Sequence, residues 1–254
     1  MLLLIDIGNT RIKWARSDER GIGPQSAAVH ANWTPEDFVR QILNSGPRAE
    51  RVLIANVGGK RMGELAQAAI GSTWQIEPRF VHSPAAQAGL RNSYPEPAKL
   101  GVDRWLCLLG GRALESRPLC VVSVGTAMTI DGLDAGGQHL GGVIVPGPDL
   151  MVSSLLKNTS DIAQRAQGGQ ARDTLFADNT LGAIQQGAVH ALAALVERAL
   201  ETLEQQLGER PALLLTGGAS ARLQGAIRSP GREIPDLVLR GLAVLASLPE
   251  SSAA

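Results

Sequence analysis

Three glycine-containing turns and one Asp-Arg pair hold the chemistry legible in this chain. The first turn is Asp6-Ile7-Gly8-Asn9-Thr10. It follows the apolar run Leu2–Ile5 and leads through Arg11 and Ile12 to Lys13. A carboxylate fixed at a buried strand end can hold a hydrated magnesium ion. Glycine lets the backbone turn tightly and approach an anion, and successive N–H groups in such a turn form a concave anion site. Asn9, Thr10 and Lys13 add donors and charge. The same residues also suit a plain hairpin turn, because Gly and Asn favour turns. The second turn is Gly125-Thr126 before Ala127–Asp131, and the third is Thr216-Gly217-Gly218. Each follows an apolar strand. The third ends a strand and opens a helix, so a flat base can lie against bare backbone there. The Asp-Arg pair is Asp103-Arg104, preceded by Gly101-Val102 and, farther back, by Tyr94. A carboxylate can accept a proton from a hydroxyl that attacks a phosphate. A guanidinium can hold a carboxylate or phosphate by paired bonds. A capping Asp beside a solvated Arg is the alternative.

The elements that must position these residues follow from pattern. Residues 2–7 read as a buried strand, with 11–16 as its hairpin partner. Thr34-Pro35-Glu36-Asp37 is a helix start, and that helix should run to about Asn44. Arg51–Val57 reads as a strand, Lys60–Ile70 as a helix, Trp74–Val81 as a strand and Pro84–Pro97 as a loop. Leu100–Leu114 reads as a helix lining a cleft. Strands are expected at 119–124, 127–133 and 140–145, then a helix to about Leu156. Residues 157–178, with Asp161 and Asp173, read as a solvated loop. Thr180–Leu207 is the longest helix, apolar at Leu181, Ile184, Ala188, Leu192, Leu195, Ala199 and Leu203, near a 3.6-residue period. Leu213–Leu215 is a strand with a short helix behind it. A last helix runs from about Arg240 to Leu248, and Pro249–Ala254 should fray. The order of strand, tight turn and second strand occurs from residue 2 and again from residue 119. This predicts two related α/β domains, 1–116 and 117–254, with a nucleotide cleft between them.

Composition narrows the classes of partner. The chain has 254 residues, and its 24 Lys plus Arg balance 24 Asp plus Glu. No global basic field exists to attract nucleic acid, and 3% aromatic residues make a poor base-stacking platform. Cys107 and Cys120 sit in apolar runs and read as buried free thiols. With no signal peptide evident, this points to the cytoplasm. No uncharged apolar run approaches the roughly 20 residues that span a bilayer. His30, His82, His139 and His190 lack metal-ligand spacing, and the Met residues read as core fillers. Asp131 is open between a phosphate- or metal-supporting role and a strand-end carboxylate facing solvent.

The duplicated frame with three turns resembles the superfamily of acetate and sugar kinases, actin and heat-shock ATPases, whose domains are ribonuclease H-like (actin-like ATPase) units. Neither a P-loop nor a G-x-G-x-x-G fingerprint occurs. Asp6-Ile-Gly-Asn-Thr, Gly101-Val-Asp-Arg, Gly125-Thr-Ala-Met-Thr-Ile-Asp and Gly141-Gly-Val-Ile-Val-Pro-Gly stand in this order. As an ordered set they resemble type III pantothenate kinase, from residue 5 to about residue 220. The resemblance implies ATP-dependent phosphorylation of pantothenate, the first step of coenzyme A biosynthesis, in a homodimer. It implies that Asp6, Ile7, Gly8, Asn9, Thr10, Arg11, Ile12 and Lys13 bind ATP phosphates, with Mg²⁺ held near Asp6 through water. It implies Asp103 as the proton acceptor. Tyr94, Gly101, Val102, Asp103 and Arg104 would contact pantothenate, Thr126 would contact ATP, and Thr180 would contact substrate across a dimer interface.

One position departs from the family pattern. Many members carry an aspartate two residues before the Gly-Thr of the second turn, where it binds a monovalent cation. This chain has Ser123, a far weaker ligand for K⁺ or NH₄⁺, which puts that requirement in question. Two alternatives stand beside the kinase reading. One is a kinase of the same superfamily acting on another hydroxyl or carboxylate; the Tyr94–Arg104 block argues against it. The other is a nucleotide-binding accessory or regulatory protein. Intact Asp6 and Asp103 argue against that one, and Ser123 keeps it open.

Overall fold

The computed structural model describes residues 1–170 and 174–249. Asp173 and the segment after Pro249 therefore lie outside the described residues. The chain divides into two compact units. The first comprises Met1–Leu114, Gly136–His139 and Asp236 onward, and the second Glu115–Ala135 and Leu140–Pro235.

The first unit is built on β1 (Leu2–Ile7), whose side chains from Leu3 onward are all buried. A strand apolar on both faces belongs in the middle of a covered sheet. It pairs antiparallel with β2 (Arg11–Asp18). The short β3 (Gly21–Ile22) and β4 (Ser26–Val29) both pair with β2. After α1 (Pro35–Gln41) comes β5 (Arg51–Asn56), parallel to β1. Next are α2 (Lys60–Trp74), β6 (Arg79–Phe80), the hairpin β7 (Ala86–Gln87) and β8 (Leu90–Arg91), and α3 (Val102–Leu114). A capping box between Thr34 and Asp37 starts α1, as Thr-Pro-Glu-Asp predicts. Leu3, Ile5, Ile7, Phe38, Ile54, Ile70 and Trp74 share one core cluster.

The second unit repeats this plan. Its central β9 (Leu119–Val124) pairs antiparallel with β10 (Ala127–Leu133), which neighbours β11 (His139–Pro146). Then come α4 (Pro148–Asn158), α5 (Ser160–Ala166), α6 (Thr180–Leu207), β12 (Ala212–Thr216), α7 (Ser220–Gln224) and β13 (Gly231–Glu233). β12 runs parallel to β9, as β5 does to β1. Leu192, Val196, Leu200 and Leu203 of α6 pack on Cys120, Val122, Val124 and Ile130. The last helix, α8 (Leu237–Ser247), belongs to the first unit. There it packs on α3 and touches β1 and β5. Glycines permit this close crossing: a Cβ on Gly241 would lie 2.1 Å from the Leu106 carbonyl oxygen.

Several sequence expectations change. Trp74 ends α2 rather than opening a strand, because it continues the buried face of Met62, Ala66 and Ile70 before the left-handed cap at Gln75. Only Arg79–Phe80 of that segment pairs. The 84–97 loop contains the β7–β8 hairpin. Within 157–178 a short helix forms, and Asp161 is an exposed residue on it, paired with Arg165 one turn on. α8 starts three residues before Arg240. The expected division at 116/117 follows the repeat of strands; the compact units differ from it because α8 returns to the first. Among the described residues, no helix is long and apolar enough to cross a membrane. Cys107 and Cys120 are buried free thiols.

Candidate active site

In the first unit, β1 delivers Asp6 to the sheet's end, opposite Lys13 on β2. The Asp6 carboxyl is buried, and its pKa is pushed up to about 6. Burial is the main cause, the Asp103 charge adds to it, and Lys13 opposes it. Asp6, Lys13 and Asp103, far apart in sequence, therefore share one electrostatic neighbourhood.

The turn after Asp6 is braced on two sides. Gly8 N–H donates to the Arg11 carbonyl at 3.0 Å. The Ile7 carbonyl accepts from Val57 and Gly58, each at 2.9 Å. A Cβ on Gly58 would lie 2.6 Å from the Gly8 oxygen, so only glycine fits there. The Asn56 side chain shapes that second loop, accepting from Gly58 N–H at 3.0 Å and donating to the Gly59 carbonyl at 3.1 Å. From the other side, His30 donates from Nε2 to the Gly8 carbonyl at 2.7 Å. Sequence reasoning missed both braces. A Gly-Gly pair after a parallel strand was a signal for the first; His30 had none.

The Asp-Arg pair opens α3. Asp103 Oδ1 accepts from Arg104 N–H at 2.9 Å. A Cβ on Gly101 would lie 2.7 Å from that oxygen, so the glycine makes room for the carboxylate. Arg104 is 5% exposed, which overturns the solvated-Arg alternative. Its Nη1 donates to the Tyr94 hydroxyl at 3.0 Å, and its guanidinium carbon stands 5.8 Å from the Tyr94 ring centre. The other neighbour of that ring is His139, stacked at 6.1 Å and 18°. His139 Nδ1 lies 3.0 Å from Ser93 Oγ. Asn92 pins the loop, donating to the Pro84 and Pro97 carbonyls and accepting from Tyr94 N–H. His139 and Asn92 were likewise not legible from spacing.

In the second unit, Gly125 N–H donates to the Ala127 carbonyl at 2.9 Å. The start of α4 packs so closely on this turn that a Cβ on Gly147 would meet the Gly125 oxygen at 2.0 Å. Thr126 is exposed. Gly217 has φ +98°, with room for hydrogen only against the Val124 carbonyl. Ser123 pairs in register with Thr129 on one side and Thr216 on the other. This sets three hydroxyl residues in a row across three strands. Asp131 is 2% exposed, so the solvent-facing alternative is excluded. Its charge adds to the burial that pushes the Cys120 thiol up to about 12. Thr180 is the first residue of α6, capped by Asn179 Oδ1 accepting from Gly182 N–H at 2.9 Å. Of the predicted residues, Asp6–Lys13, Tyr94 and Gly101–Arg104 lie in the first unit, and Ser123, Thr126 and Thr180 in the second.

A family model described as type III pantothenate kinase matches residues 2–202. The chain belongs to the type III pantothenate kinase family. It is 35% identical over 255 residues to the type III pantothenate kinase of Nitrosococcus oceani, covering 97% of this chain and 94% of that protein. It is 40% identical over 247 residues to that of Azoarcus sp. strain BH72, covering 97% and 91%. Among solved structures, a Baf family protein from Campylobacter jejuni is similar in fold, with TM-score 0.60, 21% identity and coverage of 96% and 97%. The fold is similar as well to that of the activator of the 2-hydroxyisocaproyl-CoA dehydratase from Clostridium difficile, with TM-score 0.51, 13% identity and coverage of 96% and 93%.

Proposed function

We propose that this member of the type III pantothenate kinases transfers the γ-phosphoryl group of ATP to the primary hydroxyl of pantothenate, giving 4'-phosphopantothenate, the first step of coenzyme A biosynthesis. The observation that carries the reading is the neighbourhood of Asp6, Lys13 and Asp103, beside an Arg104 held by Tyr94. It puts a cation-attracting carboxylate, a cation for phosphate and a candidate base in one unit.

The chain's own residues perform the following steps. The Asp6–Thr10 turn, with Arg11, Ile12 and Lys13, cradles the phosphates through backbone N–H groups and the Lys13 charge. Asp103, oriented by Arg104 N–H, accepts the hydroxyl proton. The hydroxyl oxygen forms a bond to the γ-phosphorus, the bond from that phosphorus to the β–γ bridging oxygen breaks, and ADP leaves with those electrons. Arg104 and Tyr94, with Gly101 and Val102, hold the pantothenate, whose carboxylate suits a guanidinium.

Mg²⁺ fits Asp6. A buried carboxylate whose charged form is disfavoured gains from a nearby hard cation. The ion supplies neutralisation of charge on the phosphate oxygens. For a monovalent cation, Ser123 offers one neutral oxygen, and the proposal assigns that cation no role.

Thr126 as an ATP contact and Thr180 as a substrate contact in a homodimer belong to the same proposal, as does a cytoplasmic setting without nucleic-acid or membrane partners. Val143, Ile144, Leu150, Leu155 and Phe176 of the second unit are large apolar side chains left exposed, which a dimer contact would cover. The test is a purified-protein assay with ATP and pantothenate, product identified by mass. Asp103→Asn should keep fold and ATP binding while lowering turnover by roughly 10²–10⁴. Near-wild-type turnover in that variant refutes its role as base.

A further inference from the structure

His30 lies just beyond β4 and is 3% exposed. It grips the Asp6–Thr10 turn twice. Its backbone N–H donates to the Thr10 carbonyl at 3.4 Å, and its ring reaches the Gly8 carbonyl at 2.7 Å. A carbonyl oxygen only accepts, so Nε2 carries the proton.

The consequence lies on the far side of the peptide that His30 holds. The chain has no cis peptide bond among its described residues, and in a trans peptide the C=O and N–H point in opposite directions. With the Gly8 carbonyl turned toward buried His30, the Asn9 N–H is turned away from it. Asn9 is exposed, and its N–H has no hydrogen-bond partner among the described residues. The carbonyls of Ile7, Gly8 and Thr10 are all taken by donors from Val57, Gly58 and His30. The turn's acceptors are thus tied down while an amide donor is presented outward, the polarity an anion needs.

We propose that His30 is a positioning residue for nucleotide binding: by holding the Gly8 carbonyl it aims the Asn9 N–H at a phosphate oxygen. This rests on the reading of Asp6–Lys13 as the ATP phosphate site. A histidine that only filled space would tolerate any side chain of similar bulk. One that orients a peptide requires a donor.

His30→Leu keeps bulk and removes the donor, His30→Gln restores an N–H donor, and Lys13→Met tests the phosphate site independently. Steady-state rates with ATP and pantothenate varied separately give the readout. His30→Leu should raise the KM for ATP by roughly tenfold or more, the loss of a hydrogen bond to a charged group, with the KM for pantothenate unchanged. His30→Gln should recover most of the loss. An unchanged KM for ATP in Lys13→Met overturns the phosphate-site reading itself. Impaired Lys13→Met with unaffected His30→Leu overturns the role of His30 alone, and so does equal impairment of His30→Leu and His30→Gln. Should His30→Leu not fold, NMR of ¹⁵N-labelled wild-type protein decides. A slowly exchanging His30 Nε2 proton that shifts with ATP and not with adenosine supports the proposal, and one that ignores ATP overturns it.

Discussion

Replacing Asp6 by Asn should make the ligand-free protein more stable while abolishing its use of ATP. Burial raises the Asp6 pKa from 3.8 to about 6, outweighing the opposing charge of Lys13, and the Asp103 charge adds a smaller push in the same direction. An acid whose pKa is higher folded than unfolded stabilises the fold only while it is protonated. That advantage is present below 3.8, is lost as pH rises through about 6, and is gone above it. At about 1.4 kcal/mol per pH unit, the charged form costs up to about 3 kcal/mol near neutrality. Asn has the same shape and no charge. In EDTA at about pH 7.5, Asp6→Asn should unfold some 6–12 °C higher, taking roughly 2–4 °C per kcal/mol for a chain of this size. Near pH 4 the two proteins should nearly coincide, because Asp6 is then protonated in the fold. Thermal melts followed by circular dichroism at both pH values make the measurement. MgATP should narrow the gap by stabilising only the wild type. An Asn variant equal to or less stable than wild type at pH 7.5 refutes the argument that burial strains this carboxylate.

Three further outcomes follow from the same geometry. Tyr94→Phe removes one hydrogen bond that holds the buried Arg104 guanidinium and should raise the KM for pantothenate by roughly tenfold, with the KM for ATP unchanged, as read by steady-state kinetics. Gly101→Ala forces its Cβ to within 2.7 Å of Asp103 Oδ1; the carboxylate must swing aside, so kcat should fall while the melting temperature holds. Titrating K⁺ or NH₄⁺ into cation-free enzyme should leave turnover unchanged, because Ser123 offers only a neutral hydroxyl; strong activation would refute that inference.

The elements and motifs carried by local pattern were legible before the fold was known. Buried strands announce themselves as apolar runs, and Thr34-Pro35-Glu36-Asp37 caps a helix by its own side chains. α6 shows its period over 28 residues. The turns at Gly8, Gly125 and Gly217 follow from what glycine permits. The ordered motifs assigned the family. Trp74 and the 157–178 segment misled because short stretches leave period and composition undecided until packing chooses.

What the tertiary structure alone decided concerns neighbours far apart in the chain. The elevated pKa of Asp6 needs the closed core that buries it, with a smaller contribution from Asp103. Buried Arg104 meets Tyr94, and Tyr94 is backed by His139 across 45 residues. The Asp6–Thr10 turn is braced by His30 and Gly58, which no spacing rule connects to Asp6. The sequence by itself determined which backbone conformations and which chemical groups are available, because these are properties of single residues and short runs. Only the fold decided which of those groups are desolvated, paired and aimed, because field and burial depend on every atom nearby.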